Sequence, residues 1–179
     1  HVRNTIMRAI KAPKSRHCML RFRLSHIKSS IVMDTFPRVM ATAFPGVNYT
    51  LNKSDLFVRF ENGSEIWFAG LDDKDRTEKI LGNEYSTVLL NECSQISWGA
   101  RNTVLTRLAQ KVATKIKGKD AVPLKTRMYY DCNPPPKNHW TYKLFVKKVE
   151  PETNQPLPHT DDYVALQMNP ADNIEHVSE

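Results

Sequence analysis

The residues with the clearest capacity for chemistry follow one short apolar run. Thr87 to Leu90 is apolar and partly β-branched, and the polar pair Asn91-Glu92 comes directly after it. Such a run is typical of a buried strand in a parallel sheet. Ligands of open α/β sheets bind just beyond the carboxyl ends of strands. Glu92 would therefore be placed to polarise a water molecule or to face a metal-bound phosphate. The alternative is a buried strand with an ordinary polar end.

A second polar turn follows another strand candidate, Leu124–Tyr130. This turn is Asp131-Cys-Asn-Pro-Pro-Pro-Lys-Asn-His-Trp140, and its prolines exclude regular structure. It would place Asp131 and Asn133 at a strand's carboxyl end, beside Glu92 if the two strands are neighbours. The alternative is a rigid turn that leads into a helix at Trp140–Val149.

The elements that must position these residues are predicted from hydrophobic periodicity and turn signals. Ser25 is a plausible N-cap for one helix, Pro37 predicts a kink or break within it, and Asn62-Gly63 predicts a tight hairpin. Asp72 is expected to cap a short helix. The predicted helices are Val2–Lys11, Leu24–Phe44, Asp73–Leu81 and Trp98–Lys117, and the further predicted strands are His17–Phe22, Asp55–Glu61, Ser64–Ala69 and Tyr163–Met168.

Composition limits the class of protein. The chain has 179 residues, of which 40% are apolar and 25% charged, as in an ordinary soluble domain with a sizeable core. No apolar run approaches the roughly 20 residues that span a bilayer. The net charge of +7 favours a polyanionic partner, nucleic acid more than a membrane surface. The three cysteines form no C-x-x-C pair, which argues against a zinc site or a disulfide framework.

Several catalytic signatures are missing from the sequence. It contains no H-E-x-x-H, no G-x-S-x-G, no G-x-G-x-x-G and no G-x-x-x-x-G-K-[ST]. The run from Thr87 to Glu92 nevertheless has the form of the Walker B element of P-loop ATPases, whose glutamate orients the attacking water. A Walker B glutamate without a phosphate cradle cannot hydrolyse ATP. Since that cradle directly precedes the first helix of such proteins, we expect this chain to begin just after it.

Four stretches, in this order, resemble the ATPase domain of tailed-phage terminase large subunits. They are Arg23 with Leu24-Ser-His-Ile-Lys-Ser-Ser-Ile31; Gly63-Ser-Glu-Ile-Trp-Phe-Ala-Gly-Leu-Asp-Asp73 leading into Lys79-Ile-Leu-Gly82; Val88-Leu-Leu-Asn-Glu-Cys-Ser-Gln-Ile96 with Leu105-Thr-Arg-Leu108; and Asp131-Cys-Asn-Pro134 with His139-Trp140, trailed by Asn169-Pro-Ala-Asp-Asn173. No single motif is unique, but their order and spacing together are fairly specific.

The resemblance implies an α/β fold: a RecA-like P-loop NTPase core of the additional-strand type. It would have a mainly parallel central sheet, helices on both faces and an antiparallel hairpin. Residues 1–179 would form a single, N-terminally truncated ATPase domain, with 150–179 a loop and the start of a linker toward a nuclease domain. The implied activity is ATP hydrolysis coupled to translocation of double-stranded DNA into a procapsid. This polypeptide alone is expected to be inactive without its P-loop.

The resemblance also implies roles for individual residues. Glu92 would be the catalytic glutamate, and Arg23 and Arg107 would face phosphate or bridge subunits. Asn133 would lie, with Asp131, in the coupling motif that senses the γ-phosphate. The Walker B aspartate position is Asn91, which can accept a hydrogen bond from a magnesium-bound water but brings no charge. ATP and Mg²⁺ are the implied cofactors.

The implied partners are double-stranded DNA, the portal protein, the small terminase subunit and further copies of the chain in a homo-oligomeric ring. The setting would be the host cytoplasm, transiently at the procapsid portal, with no membrane. One alternative is another helicase-like or plasmid-partition ATPase. Another is a degenerate, non-hydrolysing DNA-binding or assembly module, which Asn91 and the missing cradle both favour.

Overall fold

The strands form one six-stranded sheet in the computed structural model of the protein, in the order β2-β3-β4-β1-β5-β6. The structure describes residues 1–72, 74–169 and 172, with the backbone alone for 74–76 and 79. The strands are β1 Arg16–Arg21, β2 Tyr49–Asn52, β3 Phe57–Phe60, β4 Glu65–Gly70, β5 Thr87–Leu90 and β6 Arg127–Tyr130. The four strands β4, β1, β5 and β6 are parallel, and β2 and β3 add an antiparallel edge. The predicted mainly parallel sheet is confirmed.

The α-helices are α1 Val2–Lys11, α2 Leu24–Ile27, α3 Phe36–Ala43, α4 Lys74–Leu81 and α5 Trp98–Leu105. A π-helical segment, Lys28–Thr35, joins α2 to α3, and a second lies at Tyr142–Lys147. Short 3₁₀ turns occur at Cys93–Gln95 and Thr160–Asp162.

Side chains of the parallel strands alternate between two covered faces. On one face a cross-strand row packs against α1 and α3; its members are Phe68, Met19, Leu89 and Tyr129. The next row points to the other face and consists of Ala69, Leu20, Leu90 and Tyr130. There the α5 residue Arg101 donates a hydrogen bond from Nε to the Tyr130 hydroxyl. Helices therefore cover both faces, as predicted.

The hairpin predicted at Asn62-Gly63 is confirmed and also ends a helix. Gly63 has φ +77°, a conformation that favours glycine. The side-chain amide of Asn62 donates to the carbonyls of Ala9 and Ile10, both at 2.9 Å. These are carbonyls of the last turn of α1, which has no further intrahelical partner for them. The hairpin turn thereby fixes where α1 stops and β1 begins.

The segment predicted as one helix from Leu24 to Phe44 is helical from Leu24 to Ala43, and it takes π geometry over Lys28–Thr35, just before Pro37. The predicted N-cap at Ser25 is wrong. Arg23 occupies the N-cap position of α2, and the carboxylate of Asp72 accepts a hydrogen bond from the backbone N–H of Leu24 at 3.0 Å. Asp72 was expected to cap the helix at Asp73–Leu81, whose first residue lies outside the described residues. A side chain distant in sequence therefore satisfies the free donor that a local cap would take.

The helix predicted over Trp98–Lys117 is also wrong beyond α5, which ends at Leu105. The chain instead pairs with itself: the Thr114 N–H donates to the Val122 carbonyl at 2.8 Å, and Ala113 and Pro123 form an antiparallel bridge. Val112, Thr114 and Ile116 alternate with polar or small residues, a period of two that favours extended structure over helix.

The chain divides into two compact units, His1–Asn133 and Pro134–Glu179. The second unit carries a helical segment within the range predicted as Trp140–Val149, but the strand predicted at Tyr163–Met168 is irregular. Its apolar side chains Val164, Leu166 and Met168 are exposed, because no neighbouring strand covers them in the described part of the chain. The turn expected at Asn169–Asn173 lies largely outside the described residues. None of the described helices is long and apolar enough to span a membrane.

Candidate functional site

The carboxyl ends of β1, β5 and β6 meet at one edge of the sheet, because these strands are parallel neighbours. The Asn91 N–H donates to the Leu20 carbonyl at 2.8 Å, and the Asp131 N–H donates to the Leu90 carbonyl at 3.2 Å. The two polar turns identified in the sequence therefore leave the sheet side by side. Ligands bind at such edges in open α/β folds.

Asp131 organises this edge. Its Oδ1 atom accepts hydrogen bonds from Nδ2 of Asn91 at 2.7 Å and from the backbone N–H of Glu92 at 2.9 Å. Its backbone carbonyl accepts a third from the N–H of Cys93, also at 2.9 Å. A charged acceptor makes stronger hydrogen bonds than a neutral one. One residue at the end of β6, through its carboxylate and its backbone carbonyl, thus holds the turn that follows β5.

Glu92 has a left-handed backbone, with φ 52° and ψ 48°. For a residue with a Cβ atom this conformation costs roughly 1–2 kcal/mol. The bonds to Asp131 hold it there, and such strain concentrates at functional sites. The Glu92 side chain is half-buried, and no described residue hydrogen-bonds its carboxylate. The strained turn therefore presents an acid that is free to meet a ligand.

Asn91 offers a buried acceptor beside that acid. Because the Asp131 carboxylate can only accept, the Asn91 amide must direct Nδ2 toward it and leave Oδ1 facing away. Oδ1 is buried and has no hydrogen-bond partner among the described residues. A buried polar atom in this state normally meets a water or an ion. Oxygen donors from Asn91, Glu92 and Asp131 suit Mg²⁺, which prefers oxygen ligands and keeps several waters.

The first turn of α1 lies at the same edge. α1 ends at Lys11 and the chain enters β1 within five residues, so the helix runs antiparallel to that strand and begins near the strand's carboxyl end. There the His1 ring stacks on Tyr129 of β6, with 5.3 Å between ring centroids. The first N–H groups of a helix lack intrahelical acceptors and carry partial positive charge, which favours anions.

The structure places the remaining predicted residues differently. Arg23 is exposed and lies two residues after the end of β1, at the edge that carries Glu92, and Asn133 is exposed two residues after Asp131. Arg107 lies elsewhere: its carbonyl accepts a hydrogen bond from the N–H of Tyr85, which precedes β5. A four-residue strand spans about 13 Å. Arg107 therefore lies at the amino edge of the sheet, at the end of β5 opposite Glu92, and its phosphate-facing or subunit-bridging role stays a prediction.

Sequence reasoning missed two features of this edge. Cys93 and Cys132 are 39 positions apart, yet their thiols are in hydrogen-bond contact, and burial raises the pKa of each. Arg101 has the charge of an exposed helix residue, but it is buried, with its guanidinium over the rings of Trp98 and Tyr130 at 4.9 and 5.7 Å. The contacts of Cys93 with Cys132 and of Arg101 with Tyr130 depend on the pairing of β5 with β6, which periodicity does not reveal.

Comparison with known proteins gives the family of the chain. A family model described as phage terminase large subunit matches residues 1–175. The chain belongs to the phage terminase large-subunit family. One relative is the PBSX phage terminase large subunit of Bacillus subtilis (strain 168), 28% identical over 94 residues, which is 52% of this chain and 19% of that protein.

Solved terminases share the fold. The large terminase of a thermophilic bacteriophage in complex with ADP has a TM-score of 0.71 at 13% identity, over 98% of this chain and 38% of that one. The complex of the same terminase with ATP-gamma-S has a TM-score of 0.61 at 13% identity, and the match covers 97% of this chain and 39% of that one. A mutant of the Thermus phage P74-26 large terminase ATPase domain has a TM-score of 0.52 at 15% identity, and the match covers 91% of this chain and 67% of that one. The predicted RecA-like terminase fold is confirmed, and the chain spans well under half of the terminase solved with ADP.

Proposed function

We propose that this chain forms the ATP-hydrolysing core of a phage DNA-packaging motor. The observation that carries the proposal is the hydrogen bond from the Glu92 N–H to the Asp131 carboxylate, which holds an acid in a strained turn at the ligand-binding edge. Family membership and the likeness to terminases solved with ADP and ATP-gamma-S support the same function.

In the proposed mechanism each residue at the edge has one task. The Glu92 carboxylate orients and polarises the water that attacks the γ-phosphate, and Asp131 holds Glu92 and Asn91 in register. Asn91 would help to hold Mg²⁺ through its buried Oδ1 atom, by accepting a hydrogen bond from one of the waters of the ion. Bound Mg²⁺ would neutralise charge on the phosphates. Because Asn91 supplies no charge, the negative charge near the ion comes from Glu92 and Asp131.

The phosphates are held by the remaining groups at the edge. The first-turn N–H groups of α1 face the anion, Arg23 supplies a positive charge from the end of β1, and Asn133 senses the γ-phosphate from the end of β6. Movement of the Asp131–Asn133 turn on hydrolysis would pass through Asp131 to Glu92, since hydrogen bonds join them directly.

The wider assembly is part of the proposal. Hydrolysis would move double-stranded DNA into a procapsid, in a ring of identical subunits at the portal, with the portal protein and the small terminase subunit as partners in the host cytoplasm. Residues 150–179 would lead toward a nuclease domain. Each of these points rests on family membership.

Glu92→Gln in the intact protein tests the catalytic assignment. The amide keeps the shape of the side chain but cannot act as a base, so nucleotide binding should persist while steady-state ATP turnover falls by at least about 100-fold. Glu84→Gln is the matched control, because Glu84 is exposed at the opposite end of β5 and the change in charge is the same. Turnover retained in Glu92→Gln would remove Glu92 from the catalytic role.

A second candidate function is a non-hydrolysing DNA-binding or assembly module. One feature favours it: Asn91 stands where a carboxylate would hold magnesium. ATP turnover measured on the intact protein separates the two. A protein that binds DNA duplex but shows no turnover with or without that duplex would support the second function.

A further inference from the structure

One short segment carries most of the protein's net charge. We call residues 111–127 the basic ribbon. It contains six cationic side chains and a single carboxylate, Asp120, and so accounts for a net charge of +5 out of +7 for all 179 residues. The cationic residues are Lys111, Lys115, Lys117, Lys119, Lys125 and Arg127, and each is exposed.

The basic ribbon is a built structure rather than a solvated helix face. Its two arms pair through backbone hydrogen bonds, from the Thr114 N–H to Val122 and from the Leu124 N–H to Val112, both at 2.8 Å. Gly118 turns the chain between the arms with φ +74°. Val112, Thr114 and Ile116 are half-buried, whereas the lysines between and beyond them are exposed. The first arm thus directs its ammonium groups to solvent on one side.

The ribbon is fastened to the amino edge of the sheet. The Lys115 N–H donates to the Lys11 carbonyl at 2.7 Å. The Gln110 side chain, at the ribbon's base, accepts from the Arg16 N–H at 2.7 Å and donates to the Lys14 carbonyl at 3.2 Å. Lys11 and Lys14 are themselves exposed, so they extend the cationic surface. This surface lies at the end of the strands opposite Glu92.

Nothing in the described part of the chain neutralises the ribbon. The ion pairs found there join Arg16 and Arg59 to Glu65, and Arg38 to Asp34, and none involves a ribbon side chain. Like charges close together repel one another, so a row of unpaired ammonium groups favours an external polyanion.

The composition of the ribbon identifies the kind of polyanion. Residues 111–127 contain no aromatic side chain. Proteins that hold single-stranded nucleic acid stack its bases on aromatic rings, and protein interfaces concentrate aromatic residues while excluding lysine. Flexible lysines suit the closely spaced phosphates of a duplex, whose bases stay hidden.

We infer that the basic ribbon is a docking surface for the phosphate backbone of double-helical DNA, bound without regard to sequence. The inference rests on the proposed function for DNA as the polymer at hand, and it adds the location. DNA contact and nucleotide chemistry lie at opposite edges of one sheet. Loss of DNA binding at the ribbon should therefore leave nucleotide binding intact.

The test measures binding of the intact protein to a fluorescent 30-base-pair duplex of arbitrary sequence over a series of salt concentrations. Lys117→Gln/Lys119→Gln removes two charges at the ribbon tip. The control, Lys53→Gln/Lys147→Gln, removes two exposed lysine charges outside the ribbon. Each lost phosphate contact makes the slope of log K against log salt shallower by about 0.9. We expect the ribbon variant to change the slope by about 2 and to bind roughly tenfold or more weakly at 0.1 M salt, with the control within twofold of wild type.

Three results would overturn the inference. An equal loss of DNA affinity in the ribbon variant and in the control variant would mean that DNA binding depends only on the total charge of the protein. An unchanged affinity in the ribbon variant would exclude the ribbon as the DNA contact, and an unchanged affinity with lost self-association would assign it to a neighbouring protein subunit. Binding of a fluorescent ATP analogue, measured in parallel, should be unaffected. If the wild type does not bind the ATP analogue, that result would count against the proposed function and not against the ribbon as a DNA contact.

Discussion

Asp131 holds Glu92 in place although 39 residues separate them. The Asp131 carboxylate accepts the Glu92 N–H at 2.9 Å and the Asn91 side-chain amide at 2.7 Å through the same oxygen. The residue proposed to position water is therefore positioned by the neighbouring strand. Both stability and turnover should depend on this contact.

The first prediction concerns Asp131 itself. Asp131→Ala leaves two donors without an acceptor in a half-buried place, so we expect the free energy of unfolding to fall by about 2–3 kcal/mol. Turnover should fall mainly through kcat, because Glu92 loses its position, with a smaller rise in KM because one negative charge near the magnesium ion is lost. Asp131→Asn retains the accepting Oδ1 atom and should lose less than about 1 kcal/mol. Urea unfolding and steady-state kinetics measure both quantities; equal loss in the two variants would contradict the acceptor role.

The second prediction concerns the strained backbone of Glu92. Glu92→Ala and Glu92→Gly both remove the carboxylate, but only alanine retains the penalty of the left-handed conformation at φ 52°. We expect the glycine variant to be more stable than the alanine variant by up to about 1 kcal/mol, with turnover abolished in both. Urea midpoints compare the two variants. An alanine variant as stable as the glycine variant would show that the turn stores no strain.

The third prediction restores the carboxylate at Asn91. Asn91→Asp places a second negative charge within hydrogen-bond distance of Asp131, so the pKa of one of the two carboxyl groups should rise. The folded protein would then retain a proton that the unfolded chain releases, and stability should fall as pH rises through that raised pKa. We expect a loss of about 1–3 kcal/mol relative to wild type at about pH 7.5, less at about pH 4.5, and partial recovery at the higher pH on addition of Mg²⁺.

Urea unfolding at the two pH values, with and without Mg²⁺, measures this effect. The wild type, with its neutral amide at position 91, is the control for the general pH dependence of the fold. A variant that is destabilised equally at both pH values would show that shape, and not charge repulsion, explains the loss.

The sequence predicted those features of the fold that are local. The run Thr87–Leu90 is a strand with the predicted bounds, and Asn62-Gly63 forms the predicted hairpin turn, because an apolar run and a turn signal each act within a few residues. Local pattern also placed Glu92 and Asp131 each at a strand end. Their adjacency followed only if β5 and β6 are neighbours, which the sheet order supplies.

What the sequence did not reveal depends on contacts between distant segments. Lysines at 111, 115 and 117 fit a helix face, but the apolar residues between them alternate as in a strand, and pairing with 122–124 decides between the two. Arg101 resembles an exposed helix residue until Tyr130 and Trp98 enclose it. Asp72 caps a helix 48 residues earlier in the chain, where Ser25 was the local candidate.

The fourth prediction concerns pH and His17. The ring is buried, and burial, with a smaller effect of Arg8, lowers the pKa of His17 to about 3. Its Nε2 atom lies 2.7 Å from the Ser15 hydroxyl. Since the unfolded chain takes up a proton near pH 6.5 and the folded protein does not, stability should fall as pH drops from about 6.5 toward 3.

The size of this effect is about 2 kcal/mol between pH 7.5 and pH 5. His17→Gln keeps a hydrogen-bonding group toward Ser15 but cannot titrate, so the difference between wild type and variant isolates the histidine. Urea unfolding at the two pH values measures it. If both proteins lose the same stability on acidification, His17 takes no part in the pH dependence.

The last prediction tests whether Arg107 acts on a neighbouring subunit. It lies at the amino edge of the sheet, away from the Glu92 of its own chain, and its Nε atom is buried with no hydrogen-bond partner among the described residues. A subunit-bridging role would require that each active site combine Glu92 of one copy with Arg107 of another. Mixing the inactive variants Arg107→Ala and Glu92→Gln should then restore part of the ATP turnover, because some sites regain both residues. Arg23→Ala mixed with Glu92→Gln is the matched control, since Arg23 and Glu92 share one edge of the same chain and should give no recovery. Mixtures that stay inactive in both cases, while Arg107→Ala alone is inactive, would assign Arg107 to its own chain's fold and end the bridging role.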